Sequence, residues 1–166
     1  MESKIFTRID LLIQFIGKSL SWLNVVMVLV AFSVVVLRYF FQLGWVWLQD
    51  IVVYSNALLF MGAAAYVLQE DSHVRVDIFY QKLSDSKKAL SNFLGCLFLL
   101  IPFCIFILFE SSTFVFNSWK SFEGAKDSGG LHGVFFVKSF IFLYAGLLLL
   151  QSLSFLSRNW RDFRNG

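Results

Sequence analysis

Four long runs of apolar side chains, separated by short polar connections, set the pattern of this 166-residue chain. They cover 20–41, 45–68, 90–116 and 134–156. Each reaches the roughly 20 residues that an α-helix needs to cross a hydrocarbon core about 30 Å thick. The pattern predicts an all-α membrane protein with four transmembrane helices. The connections are too short to form a soluble core of their own, so 1–166 reads as a single membrane domain.

Ahead of the first run, Ile5, Ile9, Leu12, Ile13, Ile16 and Leu20 recur at helical spacing, while Lys4, Arg8, Gln14 and Lys18 fall elsewhere around the helix. Two arrangements stay open for 1–19: an amphipathic helix lying along the headgroups, or the tilted start of a longer first helix. The first long apolar run begins near Leu20 at full span length, which predicts a retained N-terminus rather than a cleaved signal peptide. The connection Gln42 to Gly44 is so short that the first two spans must form an antiparallel hairpin.

In the second span Gly62, Ala63, Ala64 and Ala65 remove side-chain bulk and predict a face where another helix packs closely. Asn56, near mid-depth, is expected to hydrogen-bond to a neighbouring helix. Pro102 near the middle of the third span predicts a kink there. Lys126, Asp127 and Ser128 with Gly129 and Gly130 mark a flexible loop before the fourth span.

Composition sharpens this picture. The chain is 58% hydrophobic and only 15% charged, with a mean hydropathy of +0.71, against about a quarter charged residues in a soluble domain. Lipid is the expected solvent. A net charge of +3 does not point to nucleic acid, because the basic residues are scattered through short loops and tails. Ten of them (Lys4, Arg8, Lys18, Arg75, Lys82, Lys87, Lys88, Arg158, Arg161 and Arg164) fall on one side and four (Arg38, Lys120, Lys126 and Lys138) on the other. Both termini and the loop 69–89 are therefore expected in the cytoplasm, with 42–44 and 117–133 outside. Tyr39, Trp45, Trp47 and Trp119 fit an outer aromatic belt, and Trp22 and Trp160 an inner one.

Several chemistries find no residues to carry them. The two histidines, His73 and His132, lie in connections on opposite sides, whereas intramembrane haem needs histidines inside the spans. Cys96 and Cys104 lack the spacing and companions of a metal site and read as small packing residues. No phosphate-binding glycine loop and no Ser/His/Asp set at a common depth stands out. Neither catalysis nor a cofactor nor a metal is expected.

Four ionisable residues do lie within the spans: Arg38, Asp50, Glu110 and Lys138. Helical rise puts them about 4.5, 7.5, 9 and 6 Å below the outer ends of their spans. Burying such groups costs a few kcal/mol each unless they pair or reach water. One per helix, and of balanced sign, they are expected to form a structural ion-pair layer, with Arg38 and Asp50 the foremost pair because the tight turn makes their helices neighbours. Independent snorkelling to the headgroups is the alternative. The inner part of the spans carries only neutral polar residues such as Asn24, Asn56 and Gln151, so the midplane ionisable site of a coupled carrier is missing. The residues describe a protein that positions something else.

Certain residues stand in a familiar order: Arg38-Tyr39-Phe40-Phe41, Trp47-Leu48-Gln49-Asp50, Gly62-Ala63-Ala64-Ala65-Tyr66 and His73-Val74-Arg75-Val76-Asp77, then Glu123, Gly129-Gly130-Leu131, Lys138 and Gln151. This order resembles the small permease (DctQ-like) subunit of tripartite ATP-independent periplasmic (TRAP) transporters, from the first span onward. The chain departs from that pattern at Gln49 and Asp50, where two glutamates are frequent, and at His132, where a proline is. The resemblance implies a bacterial inner-membrane complex in which this subunit scaffolds a large multi-span permease. In such a complex the large subunit binds sodium and moves organic acids, and a periplasmic binding protein delivers them. It makes the loop 117–133, with Trp119, Lys120, Glu123, Lys126 and Asp127, the candidate contact for the binding protein, or else a plain solvated connector. The residues alone leave open an autonomous four-span cation-coupled carrier using Asp50 and Glu110.

Overall fold

A computed structural model of the chain describes residues 4–70 and 83–165. The loop motif from His73 to Asp77, with Arg75 and Lys82, lies outside the described residues. Four helices account for nearly all the rest: α1 (Lys4–Phe40), α2 (Val46–Gln69), α3 (Asp85–Lys120) and α4 (Val134–Asn165). All four are long and apolar enough to cross a membrane.

The 37 residues of α1 run without a break, about 55 Å at 1.5 Å per residue. Of the two arrangements open for the N-terminal segment, the structure has the longer first helix. Nothing between Ile16 and Leu20 breaks it, since a single glycine weakens a helix without ending it. Gly17 has its own reason to be glycine: a Cβ there would fall 2.4 Å from the Cβ of Tyr66 on α2. Just past the C-terminal end of α1, Gln42 takes a positive φ of 57°, and the N–H of Leu43 returns to the carbonyl of Leu37 at 3.0 Å. The chain reverses there and α2 packs back along α1 as the expected hairpin.

The small-residue patch on α2 packs in both directions. A Cβ at Gly62 would lie 2.4 Å from Leu20 on α1 and 3.7 Å from Leu143 on α4, and Ala65 is fully buried. Ala63 and Ala64 are half-buried beside them. Close backbone approach suits lipid, where dispersion rather than water exclusion holds helices together. Asn56 departs from expectation: it is exposed and makes no hydrogen bond among the described residues. It sits on the face of α2 turned away from the buried Gly62, Ala65 and Leu68.

Pro102 is accommodated by a change of helix type. A π turn over Cys96–Leu100 precedes it, with the Ile101 N–H bonding the Cys96 carbonyl. A proline ring in an α-helix collides with the carbonyl four residues back, here Phe98, and the wider turn moves that carbonyl aside.

α4 is the centre of the array and packs along α1, α2 and α3, whereas α3 packs mainly on α4 and forms an edge. The core runs across this arrangement as Ile13, Ala65, Leu68, Cys104, Ala145, Leu147 and Leu148. Both cysteines are free and buried, Cys104 completely.

Candidate functional site

The polar chemistry gathers at the end of the bundle that holds the α1–α2 turn, where the loop 121–133 folds back onto the helices. Asp50 and Tyr54 stand one turn apart on α2 and so share a face. Asp50 Oδ2 accepts the Leu131 N–H at 2.8 Å, and the Tyr54 hydroxyl donates to the Leu131 carbonyl at 3.0 Å. Both backbone groups of one loop residue are thus fixed by one helix. The approach requires glycine beside it: a Cβ on Gly130 would lie 2.5 Å from Ala125 Cβ and 2.8 Å from Asp50 Oδ2. Gly129 supplies the positive φ of 84° that turns the chain.

A second fastening joins the loop to α3 and α4. Glu123 Oε2 accepts from the Ser118 hydroxyl at 2.7 Å and pairs with Lys138. The Lys138 ammonium also lies 3.8 Å from the centroid of the Phe114 ring, a cation–π contact. Lys138 and Ser118 together hold the Glu123 carboxyl below the usual carboxylate range. Close by, Trp119 Nε1 donates to Ser139 Oγ at 2.8 Å, and its ring meets Phe135 edge-on at 4.7 Å.

The expected ion-pair layer takes a different form. Arg38 and Asp50 do not pair: Asp50 is occupied by the Leu131 amide, and Arg38 is exposed with no acidic partner among the described residues. Glu110 is also exposed and has no hydrogen bond or ion pair among them. Lys138 pairs with a loop acid instead of a span acid. The loop, with a free acid and free backbone donors, reaches these groups more readily than helices held apart by their own packing. The charges therefore tie loop to helix rather than helix to helix. Among the candidate binding-protein contacts, Trp119 and Glu123 are used internally, while Lys120, Lys126 and Asp127 are exposed.

One polar cluster lies outside the expected set. Asp10 Oδ1 accepts from Gln151 Nε2 at 3.1 Å and from the Ser154 hydroxyl at 2.8 Å, and Arg158 stands 4.0 Å from Oδ2. Gln151 and Ser154 are completely buried. An acid thus does meet the C-terminal part of the fourth span, where only neutral residues were expected, because the continuous α1 carries Asp10 across α4. The available signal was spacing: Asp10, Ile13 and Gly17 form one line along α1, and Gln151, Ser154 and Arg158 form one along α4.

At the same end, a cleft of about 400 Å³ lies between the end of α2, the start of α3 and the end of α4. Asp85 and Asp162 oppose Lys88 and Arg158 along its walls, a balance with no net charge to select an ion. Among the described residues no group of three His, Cys, Asp or Glu side chains is placed to hold a metal.

These features define a multi-pass helical membrane protein whose charged groups fasten its own loop 121–133 and its longest helix. The chain belongs to the family described as "Tripartite ATP-independent periplasmic transporters, DctQ component", which matches residues 27–162. It is therefore a small membrane subunit of a TRAP transporter, a family of transporter components rather than of enzymes. Neither the curated proteins nor the solved structures contain a match to the chain.

Proposed function

We propose that this subunit is a static brace for the large permease subunit of a sodium-driven importer of organic acids in the bacterial inner membrane. Both termini face the cytoplasm, and the pinned outer loop faces a periplasmic binding protein. The observation that carries this reading is the double fastening of that loop, by Asp50 and Tyr54 on one side and by Glu123 and Lys138 on the other. A loop held at both ends presents Lys126, Asp127 and His132, beside Lys120 at the end of α3, as a preformed surface, which lowers the ordering cost of docking. Sodium and substrate belong to the large subunit on this reading, and this chain holds no cofactor.

The carrier alternative draws no support from the geometry. Asp50 is committed to a backbone amide, and Glu110 faces outward from an edge helix.

Proteoliposomes test the reading. Vesicles holding this chain alone should show no solute flux under a sodium gradient, and uptake should need the large subunit and the binding protein together. Flux through the isolated chain would overturn the proposal. Reversing the loop charges as Lys126→Glu with Asp127→Lys leaves both fastenings in place. It should slow uptake while the membrane complex still purifies intact, and unchanged uptake removes the docking role.

A further inference from the structure

The outward face of α3 carries a line of exposed residues: Leu99, Phe103, Phe106, Glu110, Thr113 and Asn117. Their separations alternate between four and three, the spacing along which a second helix lies when it packs at a shallow angle. The inner part of the line is apolar and opens at the π turn into a groove of about 510 Å³ formed by Gly95, Phe98, Leu99, Leu100 and Phe103. The outer part is polar, led by a carboxylate with no partner among the described residues.

Lipid does not account for that carboxylate. Trp119, hydrogen-bonded to Ser139, marks the outer interface, and Glu110 lies nine residues below it, about 13 Å along the helix. Snorkelling is the habit of the longer lysine and arginine side chains; the glutamate side chain is shorter by one or two bonds. A second copy of this chain is a poor occupant as well. A two-fold axis along the membrane normal sets like residues at like depth, so Glu110 would face Glu110.

Resting on the functional reading above, we propose that this line is the seam for one transmembrane helix of the large permease subunit. That helix bears a lysine or arginine opposite Glu110 and hydrogen-bonding side chains opposite Thr113 and Asn117.

The test uses the two subunits co-expressed in membranes, with a photo-crosslinking amino acid at Thr113 or, for comparison, at Asn56. The Thr113 probe should give an adduct with the large subunit. Glu110→Lys should lower both that adduct and the co-purified large subunit by about tenfold or more, as expected for like charges at a buried contact. Glu110→Gln, which keeps the shape and a hydrogen-bonding end but loses the charge, should cost less than Glu110→Lys. Replacing the opposing cation by glutamate should restore assembly with Glu110→Lys. Because Glu110 bonds to nothing among the described residues, the Glu110→Lys chain purified alone should melt like the parent, which separates lost docking from lost folding.

The seam is overturned if the parent complex forms and Glu110→Lys leaves it unchanged. It is equally overturned if the Thr113 probe reaches only lipid or a second copy while the Asn56 probe reaches the large subunit. Failure of the unsubstituted chains to co-purify at all would instead overturn the functional reading, and the seam with it.

Discussion

Replacing Asp50 by alanine removes the acceptor that holds the Leu131 amide at 2.8 Å. A hydrogen bond to a charged group contributes about 1.5–3 kcal/mol, and every 1.4 kcal/mol is about a factor of ten in an equilibrium. The loop should therefore open roughly ten- to a hundredfold more often. Tyr54→Phe deletes a neutral bond to the same residue, contributing about 1 kcal/mol, or roughly fivefold. Asp50→Asn keeps an acceptor oxygen without the charge and should fall between the parent and Asp50→Ala. Amide hydrogen exchange of the detergent-solubilised protein, read by mass spectrometry on peptides covering Leu131, measures these ratios directly. Trypsin cleavage after the exposed Lys126 should accelerate in the same order. Since Asp50 and Tyr54 share Leu131, the double variant should lose less protection than the two single losses combined. Leu131 exchange at the parent rate in Asp50→Ala would refute the clamp and, with it, the case for a preformed loop surface.

Two further tests address the other fastenings. Folding holds the Glu123 carboxyl below its ordinary value, so the native state favours the ionised form. This contribution is complete above the unfolded value of about 4.3 and is lost as pH falls through the lower folded value. Trp119 fluorescence should accordingly stay flat from neutral pH down to that region and change only below it, and Glu123→Gln should abolish the acid transition. At the helix crossing, Gly17→Ala pushes a methyl group into Tyr66, since an added Cβ would lie only 2.4 Å from the Tyr66 Cβ. Overpacking of this kind costs about 1–3 kcal/mol. Gly146→Ala, which meets nothing within 4 Å, should leave the melting temperature in detergent unchanged or slightly raised, and equal behaviour of the two variants would contradict the crossing.

The apolar runs, their number and the hairpin were legible along the chain because hydrocarbon thickness imposes its length on any helix that crosses it. The small-residue patch at Gly62–Ala65 was legible for a similar reason, since close helix approach in lipid leaves few residue types to choose from. The family resemblance rested on residue order alone and agrees with the match over 27–162.

The pairing of charges was decided only in three dimensions. Depth along a helix follows from residue number, but direction around the bundle depends on which neighbour each helix packs against. Depth alone therefore grouped Arg38, Asp50, Glu110 and Lys138, although the packing turns two of them outward and gives the other two to the loop. Asp10 shows the converse. No partner for it was legible along the chain, and only the crossing of α1 over α4 delivers it to Gln151 and Ser154. Sequence periodicity states which residues share a face of one helix; which helix that face meets is fixed by the packing of all four.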